Sequence, residues 1–369
     1  MSKTVSKVRE PLFHIVKRSG LPWWQSWCIR ILAVLIALII CGIITVILTG
    51  QNPLGVYGTM IEGAIGTQRR LWVLLQNVSM LLCVALAVTP AFRMRFWNIG
   101  AEGQVLIGGL ATAVCMMNLG GKMPTAILIP VMILASILSG ALWGIIPAIF
   151  KAKWNTNETL FTLMMNYIAI QLVSYFCLVK SVPKGSGTIG TINRDTQYGW
   201  FPTIGEYDYL LNVIIVLVLT VIMFIYLKYS KHGYEIAVVG ESKNTARYIG
   251  VNVKKVIIRT MAVSGALCGV AGLLLVASTT GHTLSSETAG GRGFTAIMVS
   301  WLAKFNPLYM ILTSLLIVFL QRGAIEISTI YGLNDSFSEI ITGIIIFFII
   351  GCEFFLNYSI KLCKKEVGE

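Results

Sequence analysis

Apolar residues arrive along this chain in runs long enough to cross a bilayer, separated by short polar or basic punctuation. Runs near 31–49, 72–91, 103–118, 126–149, 159–179, 209–228 and 256–278 precede a shorter, polar-flanked segment near 293–303, and two more follow near 307–321 and 338–357. A hydrocarbon core takes about 20 apolar helical residues per crossing. The pattern therefore predicts an all-α, polytopic membrane protein of about ten transmembrane helices, and an even number puts both termini on one side. The exit from the first run, Thr49-Gly-Gln-Asn-Pro53, has no small-x-small cleavage pattern. That run is expected to be a retained span rather than a secretory signal. Trp23, Trp24 and Trp27 just before it are expected at headgroup level.

Two interruptions break the apolar pattern with glycine and polar side chains. The first is Phe92-Arg-Met-Arg-Phe-Trp-Asn-Ile-Gly-Ala-Glu-Gly-Gln104, and the second is Gly290-Gly-Arg-Gly-Phe-Thr295. A break in lipid costs free energy unless protein or a water-filled cavity satisfies the freed backbone groups. Paired interruptions in two halves of a membrane chain point to a midplane path. The plainer expectation for the first is a cytoplasmic turn, with Arg93 and Arg95 marking the inner face and Asn98 capping the next helix. Glu102 has two readings. A carboxylate at the bilayer centre costs about 2.5–3.5 kcal/mol, so it must face an aqueous path or a donor. In a first helical turn, the helix dipole instead favours it by about 0.3–1 kcal/mol. Glu158, after Asn155-Thr-Asn157, is expected as a first-turn acid behind a cap. Asn166, inside an apolar run, bonds a neighbouring helix or lines a path. The pairs Gly140/Gly144 and Gly265/Gly269 predict close helix packing. Glu326 and Glu339 are expected near the last outer loop, in solvent.

Composition and charge narrow the class and orient the chain. Hydrophobic residues make up 56% and charged ones 12%, so neither a soluble enzyme nor a nucleic-acid-binding domain fits, despite a net charge of +13. With the N-terminus inside, 21 of the 29 Lys and Arg residues fall on cytoplasmic segments. That bias makes the termini cytoplasmic and allows contact with anionic lipid. The expected organisation is a cytoplasmic segment 1–30, a transmembrane domain 31–358 with an inner elbow at 228–255, and a cytoplasmic tail 359–369. The longest outer loop, 180–208, carries Tyr198-Gly-Trp-Phe-Pro202, either as a gate or partner landing site or as an interfacial aromatic anchor. The eight cysteines have no C-x-x-C spacing and the three histidines are scattered, so no metal site or cofactor is expected.

Within the elbow, Ser242-Lys-Asn-Thr-Ala-Arg-Tyr-Ile-Gly250 predicts a short helix capped by Ser242 and stopped by Gly250. Gly233-Tyr-Glu-Ile-Ala-Val-Val-Gly240 predicts another before it. Such an elbow suits either a groove on a partner protein or the surface of anionic lipid.

Trp97-Asn-Ile-Gly-Ala-Glu-Gly-Gln104 resembles a block of the nucleoside-type ABC importer permeases, within the sugar and branched-chain amino acid permease superfamily. Asn157-Glu-Thr-Leu-Phe-Thr-Leu-Met-Met-Asn-Tyr-Ile168, His232-Gly-Tyr-Glu-Ile-Ala-Val-Val-Gly240 and Asn244-Thr-Ala-Arg-Tyr-Ile-Gly-Val-Asn252 agree in order and spacing. So does Gly293-Phe-Thr-Ala-Ile-Met-Val-Ser-Trp-Leu302, followed by Asn306-Pro-Leu308. Trp301-Leu-Ala-Lys304 departs from the pattern, where smaller residues are expected. The resemblance, over roughly 70–357, implies an inverted-repeat permease of vitamin B12-importer-like arrangement moving nucleosides by alternating access. Its implied partners are a cytoplasmic ATP-binding subunit, a second related permease and a lipid-anchored binding protein outside. Carried over by position, Asn98, Glu102 and Gln104, with Phe294 and Thr295 as second-half counterparts, line or brace the pathway, and Asn166 is counted with them as a pathway candidate. Gly233, Glu235, Gly240, Glu241, Asn244, Ala246, Arg247 and Gly250 form the surface that meets the ATPase.

The chain carries no G-x-x-x-x-G-K-[ST] phosphate loop, since Gly120-Gly-Lys-Met lacks the leading glycine and the hydroxyl residue. ATP hydrolysis is therefore expected in a partner, and this chain is not expected to be an enzyme. Rival expectations are a permease for a simple sugar such as a pentose, or an ion-coupled secondary transporter. A membrane enzyme of lipid metabolism would need acidic or His-rich inner loops, and these are basic.

Overall fold

The structure is a computed structural model describing residues 13–18, 22–50, 52–181, 189–205, 207–278 and 281–362. Parts of the expected N-terminal segment (1–12 and 19–21), Lys184 in the long loop and tail residues 363–369 lie outside the described residues, as do the side chains of Trp23 and Trp27. The elements are β1 Phe13–Lys17, α1 Trp23–Thr49, α2 Pro53–Ile65, α3 Gln68–Arg93, α4 Ala101–Leu119 and α5 Thr125–Trp154. They continue with α6 Glu158–Lys180, α7 Leu210–Tyr229, α8 Lys231–Glu241, α9 Lys243–Tyr248 and α10 Val253–Ala277. The last are α11 Arg292–Leu302, α12 Pro307–Ile330, α13 Asp335–Asn357 and β2 Tyr358–Leu362.

Among the described residues, nine helices are long and apolar enough to cross a membrane: α1, α3 to α7, α10, α12 and α13. The remaining predicted segment is α11, whose 11 residues rise only about 16 Å, roughly half of a hydrocarbon core. Sequence periodicity misses α2, which follows the first span directly from a proline start. It also ends α12 too early, at Gln321-Arg322, because charge there reads as loop; the helix continues to Ile330. Glu326 consequently lies inside α12, half-buried against Gly63 of α2, rather than in an outer loop. Glu339 is exposed, near the start of α13.

The chain divides into two compact units, Met1–Ala64 with Leu320–Glu369, and Ile65–Phe319. In the first, α1 packs along α13. β1 pairs antiparallel with β2, from Phe13 opposite Leu362 to Lys17 opposite Tyr358. That pairing brings the two end segments of the chain to one place.

In the second unit α10 is the central helix, packed on α5, α4 and α3. Burial separates helices that hydropathy cannot: 72% of the span is buried in α3 and in α10, against 22% in α5 and 28% in α7. Lipid is as apolar as leucine, so small residues rather than hydrophobicity select the packed faces. A Cβ on Gly265 would stand 2.2 Å from the Gly140 carbonyl oxygen, and one on Gly269 would stand 2.1 Å from that of Ser136. Both contacts are backbone, so neither can yield by a rotamer change. The glycine pairs read from the sequence therefore sit on the α5–α10 contact.

Gly269→Val is expected to destabilise the protein by more than the roughly 1–3 kcal/mol of ordinary overpacking. Gly343→Ala, where nothing lies within 4 Å of the added methyl, is expected to change stability by less than about 0.5 kcal/mol. Thermal unfolding in mild detergent checks the pair, and equal melting temperatures would refute the packing assignment.

Candidate functional site: two polar breaks joined at Glu102

The first break begins where α3 ends. Pro90 lies in its last turn, and Arg95 turns the chain in the left-handed region at φ 57°. From there to Ala101 the backbone is irregular, and α6 supplies what it needs. Thr162 Oγ1 accepts from the Ile99 N–H at 3.2 Å, and Asn166 Nδ2 donates to the Ile99 carbonyl at 2.8 Å. Asn166 Oδ1 also accepts from Gly103 N–H at 2.8 Å, capturing a free amide in the first turn of α4. A Cβ at Gly103 would collide with that amide oxygen at 2.9 Å, so the close approach requires glycine. Asn98, fully buried, does not cap α4. Its Oδ1 takes the Gly100 N–H at 3.1 Å and Gln104 Nε2 at 3.3 Å, and its Nδ2 donates to Ser264 of α10 at 3.2 Å. The N-cap is Gly100, without a side-chain bond, because the break turns Asn98 inward.

The second break meets the first at Glu102. Gly290 and Gly291 adopt left-handed φ values of 59° and 69°, which swing the N-terminus of α11 onto the carboxylate. Gly291 N–H donates to Oε1 at 2.8 Å and Gly293 N–H to Oε2 at 2.6 Å. Gly293 lies so close that an added Cβ would stand 2.6 Å from the Glu102 nitrogen. Glu102, 8% exposed, thus stands in the first turn of α4 and caps α11 as well. Charge-assisted bonds from backbone amides, backed by two helix N-termini, are the compensation a buried carboxylate needs. Arg292 extends the junction to α3, its Nη2 donating to Asn77 Oδ1 at 3.1 Å. Ser300 of α11 donates to the Ala85 carbonyl of α3 at 3.0 Å.

Asn98, Glu102, Gln104 and Asn166 therefore form one buried cluster in this conformation, each at most 8% exposed, with Asn98 and Gln104 bonded to each other and Glu102 and Asn166 bonded to backbone. Phe294 and Thr295 stand apart from it: the phenyl ring is 48% exposed, and Thr295 Oγ1 turns back to the Gly291 carbonyl. Sequence reasoning passed over Thr162 and Ser264. Thr162 stands four residues before Asn166 and so on the same helix face, a readable signal; Ser264 left none. Asn157 caps α6 by accepting from Thr159 and Leu160 N–H, and Glu158 adds an ion pair with Lys151 at 2.7 Å. At the atypical Trp301-Leu-Ala-Lys304 stretch, Lys304 and Phe305 turn through positive φ, and Trp301 stacks at a tilt on Trp97, 5.7 Å between ring centres.

The elbow is a second, exposed constellation. Ser230 Oγ accepts from Gly233 N–H at 3.0 Å, starting α8 straight off α7. A Cβ at Gly233 would stand 2.4 Å from the Leu227 carbonyl oxygen, and one at Gly240 would stand 2.2 Å from that of Arg93. Both glycines thereby fasten α8 to the ends of α7 and α3. Glu235 pairs with Arg259 of α10 at 2.6 Å, and that hydrogen bond holds its carboxyl below the usual carboxylate range. Ser242 caps α9 through Thr245 N–H at 3.2 Å, Ala246 is buried, and Gly250 ends the turn at φ 84°. Glu241, Asn244, Arg247 and Gly250 are exposed, as is Tyr248 at 93%.

Comparison with known proteins places these features. The family described as branched-chain amino acid transport system / permease component matches residues 70–350. The chain is similar to the guanosine ABC transporter permease protein NupP of Bacillus subtilis (strain 168), 29% identical, covering 91% of this chain and 97% of that protein. It is similar to the glucose ABC transporter permease protein TsgB13 of Haloferax volcanii, 28% identical, over 95% of this chain and 94% of that one. It is also similar to the nucleoside ABC transporter permease protein NupB of Lactococcus lactis subsp. cremoris, 28% identical, over 87% and 90%.

Glu102→Ala is expected to lower stability by roughly 3 kcal/mol, as two bonds to a charged acceptor are lost. Thermal unfolding measures this, and an unchanged melting temperature would mean the clamp holds nothing. Glu235→Gln is expected to melt below wild type at neutral pH. Because the folded-state pKa of Glu235 is depressed, the pair stabilises above the ordinary carboxylate range and its contribution is lost as pH falls through the lowered value. The gap between variant and wild type is expected to close over that acid window; a gap constant with pH would assign the loss to packing.

Proposed function

The chain belongs to the branched-chain amino acid transport system permease component family, and on that premise we propose nucleosides as its cargo and ATP-driven alternating access as its mechanism. It is a multi-pass ABC importer permease subunit of the nucleoside and simple-sugar type. The observation that carries the mechanism is the elbow: two consecutive short helices, of which α8 is fastened by glycine contacts to α3 and α7 and by Glu235 to α10, while α9 presents Arg247 and Tyr248 outward. A partner pushing on that face moves three helices of the transmembrane unit together. ATP binding in the partner biases the equilibrium only through contacts that differ between the two states of this elbow.

In this reading α8 and α9 dock on a cytoplasmic ATP-binding subunit, both termini are cytoplasmic, and the pathway forms against a second, related permease. A lipid-anchored binding protein outside delivers the nucleoside. Asn98, Glu102, Gln104 and Asn166 brace the pathway wall, and Phe294 and Thr295 face away from that brace. The guanosine and nucleoside permeases among the relatives support the cargo. A simple-sugar cargo is the second reading, favoured by the comparable likeness to a glucose permease.

The assembly is purified in mild detergent through this chain, its partners are identified by mass, and uptake of guanosine and of glucose into proteoliposomes is measured with internal ATP. Recovery of an ATPase and ATP-dependent guanosine uptake are expected. Arg247→Glu, exposed and outside the packed core, is expected to cut uptake at least about tenfold, since like charge across an interface repels, while membrane insertion is unchanged. Uptake of glucose alone would replace the cargo; full uptake by the variant would remove the elbow from coupling.

A further inference from the structure

A cavity of about 600 Å³ opens at the end of α7 and α10 remote from the elbow. That volume is of the size that holds small molecules. Its walls include Trp200, Phe201, Asp208, Asn212, Ser278 and His282. The long loop builds it by folding back onto the helices. Ile192 N–H donates to the His282 carbonyl at 2.8 Å, Phe201 N–H to that of Ala277 at 3.0 Å, and Trp200 Nε1 to that of Ile192 at 2.9 Å. Asn193 Nδ2 anchors the same loop to the last turn of α4 through the Met116 carbonyl at 2.9 Å. The aromatic cluster is therefore a wall of this cavity.

Two buried side chains in that wall are incompletely satisfied. Asn212, 1% exposed, donates through Nδ2 to the Ser278 carbonyl at 3.2 Å, but its Oδ1 has no partner among the described residues. His282, 9% exposed, lies flat against Trp200 with ring centres 3.7 Å apart, and its Nδ1 likewise has no partner. Burial pushes the imidazole pKa down. A neutral ring that donates through one nitrogen offers the other as an acceptor. His282 is also held at φ 39°, a strained backbone for a residue with a side chain. Buried acceptors without donors cost free energy, and an open cavity beside them gives a donor from solvent or a ligand access to both.

The chemistry of the wall selects the ligand. The two buried unpartnered groups are acceptors, and the exposed Asp208 adds a carboxylate of the same kind, beside the exposed polar side chains of Gln197 and Thr203. Trp200 and Phe201 supply apolar faces. A ligand matching both bears several hydroxyl donors on a ring with an apolar face. We propose that this cavity binds the hydroxyl-bearing ring of a neutral sugar, the ribose of a nucleoside or a free monosaccharide, with Asn212 and His282 accepting hydrogen bonds from its hydroxyl groups. The proposal deepens the transport reading and rests on it for the side from which the sugar arrives. The site is separate from the Glu102 network and contacts the cargo before that network is reached.

The test uses the full chain in lipid nanodiscs and three probes: adenosine, D-ribose and 2′,3′-dideoxyadenosine, which lacks both hydroxyls on the ring carbons. Adenosine is expected to bind at least about tenfold more tightly than dideoxyadenosine, because a site built to accept from hydroxyls rejects the analogue without them. Asn212→Leu and His282→Phe are each expected to weaken adenosine at least about tenfold. Since either variant could misfold, the wild-type chain is also photolabelled with an azidoadenosine and the label mapped. Label on 197–212 or 278–282, displaced by adenosine, supports the site, and displacement by ribose as well identifies the free sugar as a second source. Equal binding of adenosine and dideoxyadenosine, no binding of adenosine or ribose, or label confined to other segments overturns it. Uptake by the assembled transporter separates the two readings. Adenosine uptake without label in the cavity refutes this site alone, and label without uptake of adenosine or ribose refutes the transport reading alone.

Discussion

A helix that stops within a packed interior must hand its free backbone groups to something, and in this protein two such stops are satisfied largely by each other. Glu102 accepts the amides that begin α11, and Asn166 and Thr162 take up those of the break before α4. The carboxylate and the amides need each other, because each alone would be an unpaired polar group in a low-dielectric interior. The two interruptions, some 190 residues apart along the chain, are therefore one structural feature.

That junction also explains the glycines around it. Gly293 is required because a side chain would collide with Glu102, Gly291 because its φ of 69° is left-handed, and Gly103 because the Asn166 amide must reach the backbone of α4. The glycines of α5 and α10 answer a different need, bringing backbones into contact where lipid provides no hydrophobic reason to associate. One residue type thus performs two jobs, and only the neighbours distinguish them.

α10 connects the parts. At its start Arg259 holds Glu235 of the elbow, in its middle Ser264 holds Asn98, and at its end Ala277 receives the Phe201 amide from the loop that forms the far cavity. A single packed helix, with no loop between, joins all three places. The helix is also among the most buried of the spans.

The class, the approximate number of spans and the place of both breaks were legible in the chain itself. Hydropathy over about 20 residues is a local property, and a glycine-flanked polar interruption is local too. The caps at Asn157 and Ser242 and the left-handed stop at Gly250 were readable for the same reason. The partner of Glu102 was not, since a first-turn acid looks alike whether it serves its own helix or a distant one. Nor was the extension of α12 past Arg322, where charge reads as loop until burial against α2 is seen. Sequence determined which residues could not sit in lipid unaided, because that depends on side-chain chemistry alone. Tertiary structure decided who satisfies them, because hydrogen bonds act over about 3 Å and only folding brings groups from distant helices within that reach.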